Sequence, residues 1–280
     1  MRVFVTGATG YVGTAVVREL IDAGHRVVGL ARSDKGAAAL MEAGAEAIRG
    51  AVEDLDILRG AAADADGVIH LAFTPDFSKF AEAQETDLLA IQAMGAALEG
   101  TGKPLAITVH VGGESSINEA VVLAGRGVRT SIVALSPSVH GEGDKAFVPR
   151  LIHIARAKGF SAYVGDGTNR WPAVHRFDAA NLYRLALEKA PAGSMLYGRA
   201  EEGVAFRDIA EVIGRYLNVP TVSLSREEAE AHFGMDVPIA GLDIPSLMPG
   251  SGERTKELLG WNPVHSGLIE DLEQGHYFNE

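Results

Sequence analysis

The strongest constraint on the fold of this chain is a glycine-rich stretch within its first thirteen residues. An apolar run, VFV at 3–5, leads into TGATGYVG at 6–13, and apolar residues then recur at helical spacing. This pattern predicts a strand, a tight turn and a helix. In such a unit the first glycine permits the turn, the second lets the backbone approach a pyrophosphate, and the third allows close packing.

The helix after this turn would present free N–H groups and a partial positive charge at its N-terminus, and both attract an anion. The stretch therefore predicts a site for the diphosphate of a dinucleotide; the alternative is a glycine-rich turn without a ligand. The residues that we expect to hold the cofactor here are Gly7, Thr9, Gly10, Tyr11, Val12 and Gly13.

Strands and helices alternate along the first half of the chain. Predicted strands lie at 26–31, 45–49, 67–72, 105–109 and 128–135. Predicted helices lie between them, at about 35–43, from Asp54, at about 77–98, and from Ser115 or Ser116, with Asp54 and these serines as N-cap candidates. The alternation predicts an α/β fold with a Rossmann-type, doubly wound parallel sheet.

The second half begins with a polar, glycine-rich loop at 136–144. The sequence pattern after this loop predicts a helix at 147–158, a strand at 161–164, a helix capped by Asp178, a helix at 206–217 and a capping box from Ser225 to Glu228. We expect residues 1–160, with contributions from about 173–200, to form an NAD(P)-binding domain. Residues 161–280 are expected to form mainly a small α/β substrate-binding lobe.

The end of the second predicted strand indicates which dinucleotide binds. In an NAD site an acidic residue about twenty positions beyond the glycines accepts hydrogen bonds from the ribose, whereas an arginine suits a 2′-phosphate. Here Ala31 is followed by Arg32 and Ser33, and no acid occurs before Asp34. A guanidinium and a hydroxyl favour NADP over NAD, with Arg32 and Ser33 as ligands. The alternative is that Arg32 is a solvated loop residue.

Charge and composition exclude several classes of partner. The formal net charge of -12 argues against nucleic acid or an anionic membrane, so we expect a small-molecule substrate. The absence of Cys excludes disulfides and thiolate chemistry. The nine histidines are scattered, which predicts no metal site. No leader or bilayer-spanning run is evident, and we expect a cytoplasmic protein.

Five motifs resemble those of the extended short-chain dehydrogenases/reductases, the group that includes the NAD-dependent epimerases and dehydratases. They are TGATGYVG at 6–13, DGVIHLA at 66–72, VHG at 139–141, VHRFDAA at 174–180 and LGWNP at 259–263. The resemblance implies that Leu71, Ala72 and Phe73 pass beside the cofactor ribose and that Thr108 lies near the nicotinamide. It also implies that Pro137, Ser138, Val139 and His140 close over the nicotinamide. Relatives of this type form dimers through two helices, here 77–98 and the helix from Ser116, so a homodimer is a further expectation.

The chain departs from this family where catalysis is expected. No Lys is preceded four positions earlier by Tyr, so the YxxxK pair of the family is absent, and no His has Arg four positions later. Ala51 replaces the Asp that contacts adenine in the family. Only 111–114 separate the fifth strand from the next helix, where the family has a much longer loop. The explanations are natural loss, an engineered deletion, or a mobile segment omitted from the sequence.

The remaining candidate for proton transfer is His110, because it follows the fifth strand and an imidazole titrates near neutral pH. Thr108 is a second candidate. A structural role is the alternative for His110, and the expected one for His70, packed beneath the cofactor, and for His140 and His175, which would orient loops. Trp171 is expected to pack, or else to form the floor of a substrate pocket.

These observations predict an NADP-dependent oxidoreductase that acts on a small carbonyl or hydroxyl compound. Two alternatives remain open. One is a non-catalytic, redox-sensing NADP-binding protein that has lost its catalytic residues, and the other is a sugar-nucleotide epimerase or dehydratase.

Overall fold

A computed structural model describes residues 1–73, 79–109, 113–234 and 237–279. Its strands are β1 Arg2–Thr6, β2 Arg26–Ala31, β3 Glu46–Arg49, β4 Gly67–His70, β5 Pro104–Val109, β6 Arg129–Leu135, β7 Ser138–His140, β8 Ser161–Val164, β9 Arg170–His175, β10 Ser194–Gly198, β11 Glu201–Ala205 and β12 Thr221–Leu224. Its helices are α1 Tyr11–Asp22, α2 Asp34–Glu42, α3 Leu55–Ala63, α4 Phe80–Leu98, α5 Glu114–Gly125, α6 Phe147–Lys158, α7 Arg176–Lys189, α8 Phe206–Leu217, α9 Arg226–Phe233, α10 Ile244–Leu247, α11 Gly252–Leu259 and α12 Leu268–Glu273.

The chain forms two compact units, each built from three segments. Unit 1 contains Met1–Leu135, Ala179–Leu196 and Arg254–Trp261. Unit 2 contains Ser136–Asp178, Tyr197–Glu253 and Asn262–Glu280.

Unit 1 is organised around a seven-stranded sheet in the order β10-β6-β5-β4-β1-β2-β3. The pairs from β6 through β3 are parallel, and every residue of β4 and β5 is buried, as expected for strands covered on both faces. The strand order reverses between β1 and β4. Ligands of such sheets bind where the order reverses, outside the carboxyl ends of the strands. The predicted Rossmann-type doubly wound sheet is therefore confirmed.

The predicted N-cap role of Asp178 is wrong. Helix α7 begins at Arg176, which places Asp178 in its first turn. The Asp178 carboxylate instead accepts hydrogen bonds from the backbone N–H groups of Val264 and His265, at 3.0 and 3.1 Å. The buried carboxylate thus connects two distant parts of the unit 2 sequence.

The serines before the fifth helix are also not its N-cap. Helix α5 begins at Glu114 with Gly113 as the N-cap residue, and no side chain caps it. Ser115 and Ser116 therefore lie in the first turn. Asp54 does precede α3 as predicted, but its carboxylate accepts the N–H of Ala51 at 2.7 Å rather than capping the helix.

The long helix predicted from Phe77 is described from Phe80 onward, since 74–78 lie outside the described residues. The predicted fourth strand ends at His70 rather than at Ala72. The residues beyond His70 leave the sheet at its carboxyl edge, where the predicted cofactor site lies.

Unit 2 contains a three-stranded sheet in the order β11-β9-β7 and a parallel pair, β12-β8. Its core is centred on Trp171, which is fully buried and packs edge-on against Phe206 with ring centroids 4.9 Å apart. The capping box predicted from Ser225 to Glu228 is confirmed, since both of its reciprocal hydrogen bonds are present. Among the helices that the structure describes, none is long and apolar enough to cross a membrane.

Candidate functional site

The glycine-rich turn joins β1 to α1, and two of its glycines have no room for a side chain. Gly7 has φ +65°, and a Cβ on it would lie 2.8 Å from the backbone nitrogen of Ala72. A Cβ on Gly13 would lie 2.0 Å from the carbonyl oxygen of Gly7. Gly13 therefore allows α1 to begin in direct contact with the turn. The atoms that exclude a side chain at Gly13 belong to the turn rather than to the sheet.

Gly10 differs from the other two glycines. A Cβ on Gly10 would meet one described atom, the Gly7 oxygen at 3.2 Å, so its missing side chain is not required by the packing of the turn. Gly10 is the N-cap residue of α1, no side chain caps that helix, and its first turn contains no acid. The turn thus combines an open backbone surface with the positive end of a helix, which suits a diphosphate.

The predicted nucleotide-specificity segment lies next to this turn. A Cβ on Gly36 in α2 would be 3.2 Å from Cγ2 of Thr9. Arg32 is exposed and, among the described residues, makes no hydrogen bond or ion pair. The hydroxyl of Ser33 caps α2 by accepting the N–H of Gly36 at 3.1 Å. The first turn of α2 and the glycine-rich turn are therefore neighbours.

Sequence reasoning missed a second cation at this place, Arg49. Its Nη1 donates to the carbonyl oxygen of Ala31 at 2.6 Å, and its Nε lies 3.0 Å from the carboxylate of Asp34. The parallel register pairs Ala31 with Arg49, so the end of β3 lies beside the end of β2. The signal that could have revealed it is an arginine at the end of the strand after β2.

The segment after β4 packs against the turn from the other side. The N–H groups of Leu71 and Ala72 donate to the hydroxyl of Thr6, each at 3.2 Å. Ala72 and Phe73 line a cavity of about 180 Å³ together with Val52, and this cavity is within unit 1. The structure therefore brings Ala72 and Phe73 to the carboxyl edge of the sheet, where the order of strands reverses.

A buried chain of polar side chains runs beneath this edge. Nδ1 of His70 is 2.7 Å from the Thr6 hydroxyl, and Nε2 of His70 is 3.1 Å from the carboxylate of Asp87 on α4. The other oxygen of Asp87 accepts a hydrogen bond from the hydroxyl of Ser116 on α5 at 2.7 Å. His70 is 1% exposed, as its predicted packed position requires. This chain connects β1, β4, α4 and α5.

Thr108, near the end of β5, has its hydroxyl fully engaged. The hydroxyl donates to the carbonyl oxygen of His70 at 2.8 Å, and the Tyr183 hydroxyl lies 2.7 Å away. Since the single proton of Thr108 goes to a carbonyl, Tyr183 is the donor in the second bond. This geometry supports a structural role for Thr108, and its catalytic role stays a prediction. His110 lies outside the described residues.

A second cavity of unit 1, of about 280 Å³, adjoins the end of β5. It lies between α4 and the start of α5, and Val109, Asp87, Ser115 and Ser116 are among the residues that line it. Asp87 and Phe73 line both this cavity and the smaller one described above. The volume suits a small molecule.

The remaining predicted site residues belong to unit 2. Pro137 precedes β7, which Ser138, Val139 and His140 form. Nδ1 of His140 is 2.9 Å from the carboxylate of Asp271, and the Ser138 hydroxyl is buried with no hydrogen-bond partner among the described residues.

His175 takes part in a group of stacked imidazoles in unit 2. Its ring stacks on that of His265 at 4.6 Å and meets that of His140 edge-on at 5.4 Å. Burial, followed by the neighbouring histidines, lowers the pKa of His175 to about 4, so its ring is neutral at physiological pH. Within the part of the chain that the structure describes, no group of three or more His, Cys, Asp or Glu residues could hold a metal ion.

The parallel sheet with a glycine-rich turn at its reversal point defines a Rossmann-type nucleotide-binding protein. The family model described as "NAD dependent epimerase/dehydratase family" matches residues 3–97. The chain belongs to this family.

Alignments with several known proteins cover most of the chain. An uncharacterised protein of Schizosaccharomyces pombe is 47% identical, covering 99% of this chain and all of that protein. A 2-alkyl-3-oxoalkanoate reductase of Stenotrophomonas maltophilia is 28% identical, covering 71% of this chain and 69% of that enzyme. The solved structure of MoeE5 in complex with UDP-glucuronic acid and NAD has a TM-score of 0.73 at 21% identity, covering 98% of this chain and 97% of that one. The last similarity shows the fold.

The alignment with the S. pombe protein is longer than this chain. It extends over 299 positions, whereas the chain has 280 residues, so that relative contains residues without a counterpart here.

Proposed function

We propose that this protein is an NADP-dependent oxidoreductase that interconverts a small carbonyl compound and the corresponding alcohol. The observation that carries the proposal is the turn between β1 and α1. Gly7 and Gly13 leave no room for a Cβ, while Gly10 exposes backbone beside an uncapped helix N-terminus. That combination is a cradle for a diphosphate.

The residues present fit a bound dinucleotide. The backbone of Gly7 to Gly13 would hold its diphosphate, and Ala72 and Phe73 would lie beside its adenosine half, in the cavity that they line. Ala51 offers no carboxylate to adenine, and its backbone N–H is already bonded to the carboxylate of Asp54. When bound, the cofactor supplies hydride transfer, and the protein supplies binding and orientation.

The preference for NADP rests on the cations around the end of β2. Arg32 is exposed without a partner among the described residues, and Arg49 lies at the adjacent strand end. The nearest acid, Asp34, is paired with Arg49 rather than placed to accept hydrogen bonds from a ribose. A guanidinium that is free to bind is the partner that a 2′-phosphate requires.

The cavity of about 280 Å³ beside the end of β5 supports a small substrate. The name of the S. maltophilia relative, a 2-alkyl-3-oxoalkanoate reductase, supports carbonyl chemistry. His110 is retained as a candidate proton donor because of its position after β5.

Absorbance assays of NADPH consumption test this proposal. We expect NADPH to be oxidised in the presence of at least one of 2,3-butanedione, cyclohexanone and glyceraldehyde, and NADP⁺ to be reduced with 2,3-butanediol or cyclohexanol. Conversion of UDP-glucose, followed by product chromatography, would instead indicate a sugar-nucleotide epimerase or dehydratase.

A second candidate is an NADP-binding protein without turnover. The absence of YxxxK in the sequence favours it. Tight NADPH binding combined with no turnover on the whole panel would establish this candidate and contradict the oxidoreductase proposal.

A further inference from the structure

The hydrogen bonds around His70 fix the direction of each proton in the buried chain. The Thr6 hydroxyl accepts two backbone N–H groups, from Leu71 and Ala72, which occupy its two lone pairs. Its own proton must therefore point to Nδ1 of His70, at 2.7 Å. The imidazole is then protonated on Nε2 and donates to Asp87 at 3.1 Å.

Asp87 is consequently an acceptor on both oxygens. One oxygen receives the Nε2–H of His70, and the other receives the hydroxyl proton of Ser116 at 2.7 Å. This is the arrangement of an ionised carboxylate. Asp87 is 7% exposed and Ser116 is 4% exposed, so the pair is withdrawn from bulk water.

Ser116 has lone pairs left over, because its only proton is committed to Asp87. Both residues line the cavity of about 280 Å³ at the end of β5. A hydroxyl compound in this cavity could therefore donate a hydrogen bond to Ser116. Ser115 lines the same cavity, and no bond joins it to Asp87, which makes it a matched control.

We propose that Ser116 is a catalytic residue that receives the proton of a substrate hydroxyl, and that Asp87, held by His70, is the positioning residue that takes up the proton Ser116 gives away. The inference rests on the proposed oxidoreductase function. It assigns proton transfer to residues on α4 and α5 instead of to the Tyr–Lys pair that the sequence lacks.

The step balances in the direction of alcohol oxidation. The O–H bond of the alcohol breaks and its proton goes to Oγ of Ser116, while the original Ser116 proton goes to the Asp87 carboxylate. The carbonyl double bond forms as a hydride leaves the alcohol carbon for the oxidised dinucleotide of the proposed function. Carbonyl reduction is the reverse and begins with Asp87 protonated.

The test compares Ser116→Ala, Ser116→Thr, Ser115→Ala and Asp87→Asn with the wild-type chain. The assay is the reaction of the panel that the wild type catalyses fastest, either NADP⁺-dependent oxidation of an alcohol or NADPH-dependent reduction of a carbonyl compound. NADPH binding is followed separately by fluorescence titration, and folding is followed by thermal unfolding.

We expect Ser116→Ala and Asp87→Asn to lower kcat about 100-fold or more, the range of a lost general base, with KM and the Kd for NADPH changed less than about threefold. Ser116→Thr restores a hydroxyl and should recover kcat to within about tenfold, while Ser115→Ala, which removes a hydroxyl from the same cavity but has no bond to Asp87, should lower kcat far less than Ser116→Ala does. If the Ser116 hydroxyl only stabilised the fold, Ser116→Ala would lower the thermal stability, and kcat would not fall while KM stayed nearly constant.

Three results would overturn the inference. The first is a Ser116→Ala variant that keeps the wild-type kcat, and the second is an equal loss in Ser115→Ala. The third is loss of NADPH binding in parallel with kcat. If Ser116→Ala does not fold, Asp87→Asn decides, and a wild-type kcat in that variant overturns the inference.

His110→Ala provides the comparison with the other proton carrier. Loss of kcat in that variant together with retained kcat in Ser116→Ala would assign the proton to His110 and overturn the inference. A wild-type chain that binds NADPH but converts no carbonyl compound or alcohol of the panel contradicts the proposed function, and the inference falls with it. The two failures are therefore distinguishable.

Discussion

Gly13→Ala should damage both the stability of unit 1 and its binding of NADPH. The added Cβ would lie 2.0 Å from the carbonyl oxygen of Gly7 and 2.8 Å from its carbonyl carbon. Both atoms are backbone, so no side-chain rotation can relieve the contact. The turn must open by more than 1 Å to reach an ordinary contact distance, roughly 3.4 Å between such atoms.

The magnitude follows from two opposing terms. Overpacking of this kind costs about 1–3 kcal/mol, and replacing a helical glycine by alanine returns up to about 1 kcal/mol. We expect a net destabilisation of about 1–2 kcal/mol, which lowers the Tm of a unit of this size by several degrees, about 2–4 °C per kcal/mol. Displacing the turn should also weaken NADPH binding at least about tenfold, because the cradle is its backbone.

Gly60→Ala is the matched control. Gly60 lies inside α3, and a Cβ there meets no described atom within 4 Å. This variant should raise the stability by about 0.5–1 kcal/mol and leave NADPH binding unchanged. Thermal unfolding followed by circular dichroism, with fluorescence titration of NADPH, measures both quantities. A Gly13→Ala variant that is as stable as Gly60→Ala and binds NADPH like the wild type would refute the reasoning.

Three further predictions concern other parts of the molecule. Arg32→Ala should weaken NADPH binding at least about tenfold and NADH binding little, since only NADPH carries the 2′-phosphate, and equal losses in paired titrations would contradict it. Burial raises the pKa of Asp144 to about 6, so the charged carboxylate destabilises the fold above that pH. Asp144→Asn should therefore raise Tm more at about pH 8 than at about pH 5. An equal rise in Tm at both pH values would contradict this prediction. Arg199→Ala removes two hydrogen bonds from a charged donor, to the carbonyl oxygens of Met248 and Gly250, and should cost about 2–3 kcal/mol in denaturant unfolding. Arg199→Lys should recover only part of this loss, and full recovery would show that the two-pronged geometry is dispensable.

The secondary structure of this chain follows from its sequence with small errors at the ends of elements. The strand at 26–31 and the helices at 147–158 and 206–217 occur where the patterns predict them. These elements are specified by local periodicity, which any short window of sequence contains. The sheet topology follows as well, because alternating strands and helices permit few arrangements.

The side-chain assignments were less predictable because they depend on distant partners. Asp178 has the composition of an N-cap, yet its carboxylate binds backbone N–H groups 86 and 87 positions away. Ser116 likewise suits an N-cap, yet it donates to Asp87 on another helix. Local sequence contains no record of which distant group competes for such a side chain. Long-range hydrogen bonding therefore determined the outcome at both places.

Arg49 shows the same limitation at the cofactor site. Its proximity to Ala31 arises from the parallel register of β2 and β3, which is known only once the strands are paired. Gly7 and Gly13 could be assigned from sequence because the turn itself constrains both: Gly7 has φ +65°, and a Cβ on Gly13 would lie 2.0 Å from the carbonyl oxygen of Gly7.

Isothermal titration calorimetry of the folded, wild-type chain with NADPH and with NADH tests the account most directly. We expect saturable heat from NADPH, one site per chain, and a weaker or undetectable signal from NADH. A folded chain that gives no heat with either dinucleotide would contradict the assignment of the turn between β1 and α1 as a nucleotide site, and with it the proposed function.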